Sequence, residues 1–335
     1  MVKRNLKIGF IGAGSIGSLF GGFLADIKSE SYSIEVIFFC TKSHAKVVNT
    51  EGLSLYKDQQ MRIIKSIKAY ENEKIISVKL REDPSFTFDF IFLTTKTYDS
   101  EEVIVQYNKI INASRWLVIL QNGIGNEDIL LPYSKKSKIM RIVTSTGAFL
   151  EKPGHVINTG EGITKIGFPF LNEINSEKQM RKEAELDINL LKDLLNLANL
   201  ETIIVEDIIS ECWEKVIVNI GINALGALTR LPNGKLLENN GLKNIMGELI
   251  KEVLEVARLK KIQLPKKDYV GITLDVAKKT AENKNSMLQD ILNKKPTEID
   301  FMNGRIVNYA KDLGINVPYN KTLTLLIRGL ENSVI

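Results

Sequence analysis

A glycine-rich turn near the start of the chain joins an apolar strand to a helix, and it constrains the fold more than any other feature. Gly12-Ala13-Gly14-Ser15-Ile16-Gly17 directly follows the apolar run 6–11. In a dinucleotide-binding turn, the first glycine permits the tight bend and the second lets the backbone approach a pyrophosphate. The third glycine lets the helix pack closely on the strand. The pattern predicts a dinucleotide site, with a structural strand–turn–helix of another α/β protein as the alternative.

The order of strand and helix patterns along the chain predicts two domains. At 335 residues the chain exceeds the size at which one core keeps growing. Short runs that are apolar on both faces are typical of a parallel sheet covered by helices, and they occupy 34–39, 90–94, 116–120 and 139–143. We therefore predict an α/β, Rossmann-type domain with a mainly parallel sheet over 1–206. An all-helical domain follows over 207–335, with the substrate cleft between the two.

Finer patterns predict the remaining elements. Alternating apolar residues between Gly52 and Leu80 indicate an antiparallel excursion, and an apolar stripe indicates a long helix from Ser176 to Asn199. A last strand is predicted over 202–205. The predicted helices of the second domain are 208–228, 242–260, 267–282, 286–293, 298–313 and 321–332.

Composition excludes several classes of protein. The net charge of +5 comes from 45 basic and 40 acidic residues that are well interspersed. A nucleic-acid-binding surface would instead require clustered basic residues. Two distant cysteines imply no disulfide framework. We find no apolar run of membrane-spanning length and no signal peptide, so we expect a cytoplasmic protein without membrane partners. His44 and His155 lack the neighbours of a metal site, so we predict no metal and a structural role for both.

A polar stripe interrupts the apolar segment 216–225. Lys215, Asn219 and Asn223 recur at a spacing of four, which aligns them on one helix face. An ammonium group facing a core must meet a carboxylate, a ligand or water, because burying it alone is costly. A lysine in a partly desolvated cleft can act as a proton donor near neutral pH. The alternative is a buried structural ion pair with two hydrogen-bonded asparagines.

Further polar residues lie at helix breaks and strand ends. Asn283 and Ser286 lie at a helix break and Glu298 follows Pro296, so substrate contacts and helix capping are both open for them. Lys96 and Asn122 each follow a predicted strand, at the edge of the sheet where ligands of open α/β proteins bind.

Together these motifs resemble the ketopantoate reductase family over nearly the whole chain. The resemblance rests on segments in matching order: the 12–17 turn, Lys96, 121–123, 162–167, 213–223, 232–234, 286–290 and 297–304. It implies an oxidoreductase acting on CH–OH that uses NADPH to reduce 2-dehydropantoate to pantoate, in pantothenate and coenzyme A biosynthesis. The alternatives are a paralogue acting on another small 2-oxo acid and a non-catalytic dinucleotide-sensing protein. A homodimer is left open.

The resemblance also implies residue roles. Lys215 would be the general acid, and Glu298 would orient it together with a substrate hydroxyl. Asn219, Asn223, Asn283 and Ser286 would hold the substrate, with Asn233 nearby. The implied cofactor-binding residues are Gly12, Ala13, Gly14, Ser15, Ile16, Gly17, Thr41, Lys42, Lys96, Asn122 and Ala148.

The end of the second strand departs from the family pattern. The family commonly carries an arginine there to pair with the 2′-phosphate of NADP, whereas this chain has Thr41 followed by Lys42. Lysine is a point charge without the bidentate fork of arginine. No acidic residue that would favour NAD ends the strand, since Glu35 lies near its start. We therefore expect NADP, with use of NAD left open.

Overall fold

The chain folds into two compact units. The computed structural model describes residues 3–58, 60–83, 85–175 and 178–334. The first unit comprises Met1–Gln121 and Asn126–Ile208, and the second comprises Asn122–Gly125 and Ile209–Ile335. The four residues Asn122–Gly125 thus belong to the second unit although they follow a strand of the first.

The first unit contains the strands and the helices that cover them. Its strands are β1 (Arg4–Ile11), β2 (Tyr32–Phe39), β3 (Leu53–Lys57), β4 (Gln60–Ile64), β5 (Lys68–Tyr70), β6 (Phe88–Leu93), β7 (Ser114–Ile119), β8 (Ile139–Thr144), β9 (Gly147–Lys152), β10 (His155–Gly160), β11 (Thr164–Gly167) and β12 (Thr202–Ile204). Its helices are α1 (Ser15–Ala25), α2 (Lys42–Thr50), α3 (Lys74–Glu82), α4 (Ser100–Asn112), α5 (Asn126–Leu130), α6 (Leu171–Asn175) and α7 (Lys178–Leu197). The predicted strands at 34–39, 90–94, 116–120, 139–143 and 202–205 all form.

Within the described residues, eight strands form the main sheet in the order β12-β11-β8-β7-β6-β1-β2-β5. Every adjacent pair is parallel except β8 with β11. Apolar side chains are buried on both faces: Phe10 stacks on Phe92 with ring centroids 4.5 Å apart on one face, whereas Ile11 and Leu93 are buried on the other. Continuous apolar strands are what this double burial requires, so the predicted Rossmann-type fold is confirmed.

A smaller sheet, ordered β4-β3-β10-β9, lies in the same unit. The predicted antiparallel excursion is right for β3 and β4 but wrong beyond Ile64. There β5 joins the main sheet parallel to β2, and α3 follows as a helix that buries only Ile76. The hairpin of β9 and β10 was not predicted. In the predicted helix 176–199, the described helix spans Lys178–Leu197, and Ser176 and Glu177 lie outside the described residues.

The elements described in the second unit are all helical, as predicted. They are α8 (Ile208–Thr229), α9 (Asn233–Leu236), α10 (Asn240–Leu259), α11 (Tyr269–Lys279), α12 (Ser286–Leu292), α13 (Asn303–Leu313) and α14 (Pro318–Val334). One predicted helix, 298–313, is wrong in its first turn. A 3-10 turn over Ile299–Phe301 ends at Met302, whose φ of −118° and ψ of −101° interrupt the helix before α13. Across the described ranges, no helix is long and apolar enough to cross a membrane.

His44 links the glycine-rich turn to the small sheet. Its ring is buried, its Nδ1 accepts a hydrogen bond of 3.0 Å from the Gly154 amide, and its Nε2 lies 3.1 Å from Ser18 Oγ. Ser18 Oγ in turn donates to Ala13 O in the turn at 3.1 Å. Because Nδ1 must accept, the ring is held neutral with the proton on Nε2. Burial lowers the pKa of His44 to about 4.

This burial predicts a loss of stability in mild acid. The folded-state pKa of about 4 lies below the ordinary histidine pKa of 6.5, so this contribution to stability is fully present above pH 6.5 and is lost as the pH falls towards 4. Relative to a His44→Gln variant, we expect the wild-type free energy of unfolding to fall by roughly 2–3 kcal/mol between pH 7 and pH 4.5. Urea unfolding of both proteins at each pH measures this, and parallel pH profiles would contradict it.

Candidate functional site

The glycine-rich turn lies between β1 and α1, and its three glycines differ in how closely their surroundings pack. Gly12 has a φ of +80°, in the left-handed region that favours glycine. A Cβ on Gly17 would collide with Thr94 Oγ1, which itself donates to Gly12 O at 2.9 Å. In contrast, a Cβ on Gly14 would approach only Gly12 O, at 3.8 Å, so the space beside Gly14 is open.

This open space fits a bound anion. Helix α1 begins directly after Gly14, and its first turn contains no acidic residue. The amides of a first helical turn have no partner within the helix and, with the helix dipole, favour negative charge. The Ser15 side chain accepts a hydrogen bond of 3.1 Å from Leu150 N of β9, which also carries the half-buried Ala148. The arrangement suits the pyrophosphate of a dinucleotide.

Two further helix starts follow strand ends of the main sheet. Thr41 precedes α2 without a side-chain capping bond, its Oγ1 lies 3.5 Å from Ser43 Oγ, and Lys42 is exposed beside it. The first turn of α2 also lacks acidic residues, so nothing there repels a phosphate. Lys96 is half-buried after β6 and precedes the 3-10 turn Thr97–Asp99. Ser43 is a neighbour that the sequence reasoning did not select.

Three of the predicted residues form a continuous hydrogen-bonded chain in the second unit. Lys215, half-buried on α8, donates from Nζ to Asn122 Oδ1 at 2.9 Å. Asn122 Nδ2 donates to Glu298 Oε2 at 3.4 Å, and Glu298 is 4% exposed. The Asn122 amide therefore bridges a cation and a buried carboxylate, with its acceptor on one and its donor on the other. This arrangement holds a proton-bearing nitrogen in a defined place.

Asn219 and Asn223 are the other two residues of the polar stripe on α8, the helix that carries Lys215. Asn219 is half-buried, and Asn223 is buried with its Nδ2 at 3.9 Å from Met302 Sδ. Met302 follows the 3-10 turn that Glu298 precedes. The helix that carries Lys215, Asn219 and Asn223 therefore places the amide of Asn223 beside the segment that follows Glu298.

The other predicted substrate residues form a second group. Asn233 is buried: its backbone N–H donates to Asn283 O at 3.0 Å and its Nδ2 to Thr280 Oγ1 at 2.9 Å. Asn283 and Ser286 are exposed. The helix cap is Asn285, which the sequence reasoning missed: its Oδ1 accepts from Leu288 N at 3.0 Å.

Asn285 also ties this second group to α8. Its Nδ2 donates to Asn233 Oδ1 at 3.4 Å. The same nitrogen faces Gly226, where a Cβ would collide with it. Gly226 lies about one turn after Asn223, so α8 carries the polar stripe and also contacts the second group at Asn285. The capping preference of asparagine before a helix start could have identified Asn285.

Comparisons with known proteins cover nearly the full chain. The family model described as "Ketopantoate reductase PanE/ApbA" matches residues 8–169, and "Ketopantoate reductase PanE/ApbA C terminal" matches 207–331. A 2-dehydropantoate 2-reductase of Pyrococcus abyssi is 36% identical over 330 residues, which are 97% of this chain and 98% of that protein.

Solved structures share the fold. A PanE/ApbA family ketopantoate reductase from Ralstonia eutropha aligns with a TM-score of 0.82 at 26% identity, covering 98% of this chain and 99% of the other. D-mandelate dehydrogenase, solved with NADH and anilino(oxo)acetate, has the same fold with a TM-score of 0.83 at 24% identity, again covering 98% and 99%. The two family models and the identity over the full length lead to one conclusion. The chain belongs to the ketopantoate reductase family.

Proposed function

We propose that this protein reduces 2-dehydropantoate to pantoate with NADPH. The observation that carries the proposal is the hydrogen-bonded series Lys215–Asn122–Glu298, in which one amide holds a lysine Nζ at 2.9 Å and also bonds a buried carboxylate. Ketone reduction needs a hydride and a proton, and a held ammonium group supplies the proton. The curated relatives named 2-dehydropantoate 2-reductase support the choice of reaction.

Each unit has its own task in this proposal. The first unit binds the nicotinamide dinucleotide, with the Gly12–Gly17 turn on the pyrophosphate and Lys96 and Ala148 along the cofactor. When bound, the dinucleotide supplies the hydride. The second unit holds the substrate and moves the proton: Lys215 Nζ donates to the ketone oxygen, while Asn122 fixes the position of Nζ. Glu298 accepts from Asn122 and orients a substrate hydroxyl.

The α8 stripe and the helix start at α12 hold the substrate. Asn219 and Asn223 offer amide donors to a carboxylate or hydroxyl, and the exposed Asn283 and Ser286 offer further donors. Asn233 supports them, because its side chain bonds Thr280 and Asn285. Amide and hydroxyl donors of this kind bind many small acids, so the reduction of another 2-oxo acid is a second candidate function. The observation in its favour is that D-mandelate dehydrogenase, which has the same fold, was solved with anilino(oxo)acetate.

A substrate panel tests the proposal. NADPH or NADH oxidation is followed with 2-dehydropantoate and with three or four other 2-oxo acids, including phenylglyoxylate. The proposal requires the highest kcat/KM for 2-dehydropantoate. A higher value for another 2-oxo acid would assign the second candidate, and binding of the dinucleotide without any turnover would indicate a sensing protein.

Substitutions at the start of α2 test the choice of cofactor. The exposed Lys42 gives a 2′-phosphate a flexible charge and Thr41 gives it one hydroxyl, so we expect a modest preference for NADPH. This preference should fall with ionic strength, because an exposed contact is screened over about 10 Å at 0.1 M salt. Thr41→Arg should lower the KM for NADPH, and Lys42→Ala should reduce the preference. The neighbouring Lys46→Ala, also exposed, is the matched control. If the wild type prefers NADH and Lys42→Ala leaves this preference unchanged, the assignment to NADP is overturned.

A further inference from the structure

The loop Asn122–Gly125 is held in place by α13 and by the 3-10 turn before it. Ile124 N donates to Phe301 O at 3.3 Å. Gly125 has a φ of +73°, and a Cβ there would lie 2.5 Å from Tyr309 Oη and 3.3 Å from Arg305 Nε. The backbone at Gly125 therefore packs directly on the tip of Tyr309, three residues after the asparagine that bonds Lys215.

Among the described residues, an aromatic ring and two cations lie against the ring of Tyr309. Trp213 stacks on it with ring centroids 6.0 Å apart and an interplanar angle of 16°. Lys260 Nζ lies 3.9 Å from the ring centroid, and the Arg305 guanidinium lies 5.9 Å from it. A cation over a ring face and a stacked aromatic each favour one ring position.

Tyr309 therefore contacts both elements that supply the proton-donating pair. Trp213 lies on α8 two residues before Lys215, and Gly125 lies in the loop of Asn122. The Nζ–Oδ1 hydrogen bond between Lys215 and Asn122 spans 2.9 Å, and its strength depends on both elements, because such bonds keep to about 2.7–3.2 Å and weaken steeply when the donor angle falls below about 120°.

We propose that Tyr309, acting through Gly125, is a positioning residue that sets the place of Asn122 against Lys215 and so the place of the proton donor. The inference rests on the proposed function, in which Lys215 protonates the substrate. Tyr309 does not act on the substrate in this view. It fixes the loop that fixes the ammonium group.

The first test compares two glycines that have similar positive φ angles, +73° at Gly125 and +69° at Gly314. Gly125→Ala adds a methyl group against Tyr309 Oη, whereas Gly314→Ala adds one at a φ of +69° with nothing within 4 Å. Both variants carry the strain of a left-handed alanine, so both should lower the unfolding midpoint. Only Gly125→Ala should lower kcat, by about 10-fold or more, since a misplacement of about 1 Å caused by a mutation away from the reacting atoms can cost about 10²-fold. The KM for NADPH should change by less than about twofold in either variant.

The second test is a rescue. Tyr309→Phe keeps the stacked ring and removes the atom that the new methyl group would meet. The decrease in log kcat caused by Gly125→Ala should therefore be reduced by at least about half when Tyr309→Phe is also present. Tyr309→Ala, which removes the ring, should lower kcat more than Tyr309→Phe does. Losses that simply multiply in the double variant would overturn the proposal.

A third readout separates this inference from the proposed reaction. In protein labelled with ¹⁵N-asparagine, the side-chain amide signal of Asn122, assigned with Asn122→Asp, should shift in Gly125→Ala, stay unchanged in Gly314→Ala and return in the rescued double variant. If these shifts appear but 2-dehydropantoate is not reduced, the reaction is misassigned and the positioning role stands. An Asn122 signal that Gly125→Ala leaves unchanged overturns the positioning role, whatever the substrate.

Discussion

Replacing Lys215 with alanine is expected to lower kcat by about 10²–10⁴-fold, the usual contribution of general acid catalysis. Lys215 Nζ is held at 2.9 Å by Asn122 Oδ1, and no other side chain is assigned to donate the proton. The Kd for NADPH should hardly change, because the glycine-rich turn lies in the first unit and Lys215 in the second. Single-turnover reduction and dinucleotide titration by fluorescence measure the two quantities.

The Lys215→Arg variant tests whether Lys215 must donate a proton or only supply a positive charge. Arginine keeps the positive charge and can still donate a hydrogen bond to Asn122, but its guanidinium does not give up a proton in a protein. We expect it to be nearly as inactive as the alanine variant. Lys235→Ala, at an exposed lysine of the same unit paired with Glu238, is the control and should keep wild-type kcat. Near-normal turnover in Lys215→Ala would remove Lys215 from the mechanism.

Glu298→Gln should lower kcat/KM by about 10–10²-fold without unfolding the protein. Glutamine keeps the size of the side chain and an oxygen that can accept from Asn122 Nδ2, but it removes the negative charge of a residue that is only 4% exposed. The matched control is Asp300→Asn, two residues away, where the carboxylate is exposed and paired with Arg328. That variant should retain wild-type kcat/KM.

A double-mutant cycle then tests whether Glu298 and Lys215 act as a unit. Asn122 bridges the two side chains, so removing either one disturbs the same hydrogen-bonded chain. Lys215→Ala combined with Glu298→Gln should therefore lose less than the product of the single losses. Strictly multiplicative losses would mean that the two residues perform independent tasks.

Much of the fold could be predicted because burial on two faces leaves a strong pattern. The run predicted at 34–39 corresponds to β2 at Tyr32–Phe39, and the run at 139–143 corresponds to β8 at Ile139–Thr144. The small sheet escaped prediction for a physical reason. β10 pairs with β3 about a hundred residues away, with His155 opposite Ser54, and alternation within a strand does not identify its partner.

The residues of the candidate site could be selected from the sequence, but the hydrogen bonds that connect them could not. The spacing of four on α8 pointed to Lys215, Asn219 and Asn223, and the family resemblance pointed to Glu298. The bridging role of Asn122 was not predicted, because its two hydrogen bonds span 93 and 176 residues of sequence. The pattern also missed the interruption at Met302, so it placed Glu298 within α13 rather than before a separate turn.

The segment Asn122–Gly125 limits how such a protein can be recombined. The chain passes between the two units three times, after Gln121, after Gly125 and after Ile208. A fragment that begins at Ile209 would lack the asparagine that holds Lys215. A chimera of two relatives joined at residue 208 would combine the loop of one parent with the Tyr309 equivalent of the other. Exchange of the helical unit between relatives therefore requires two grafts, and the shorter one is only these four residues.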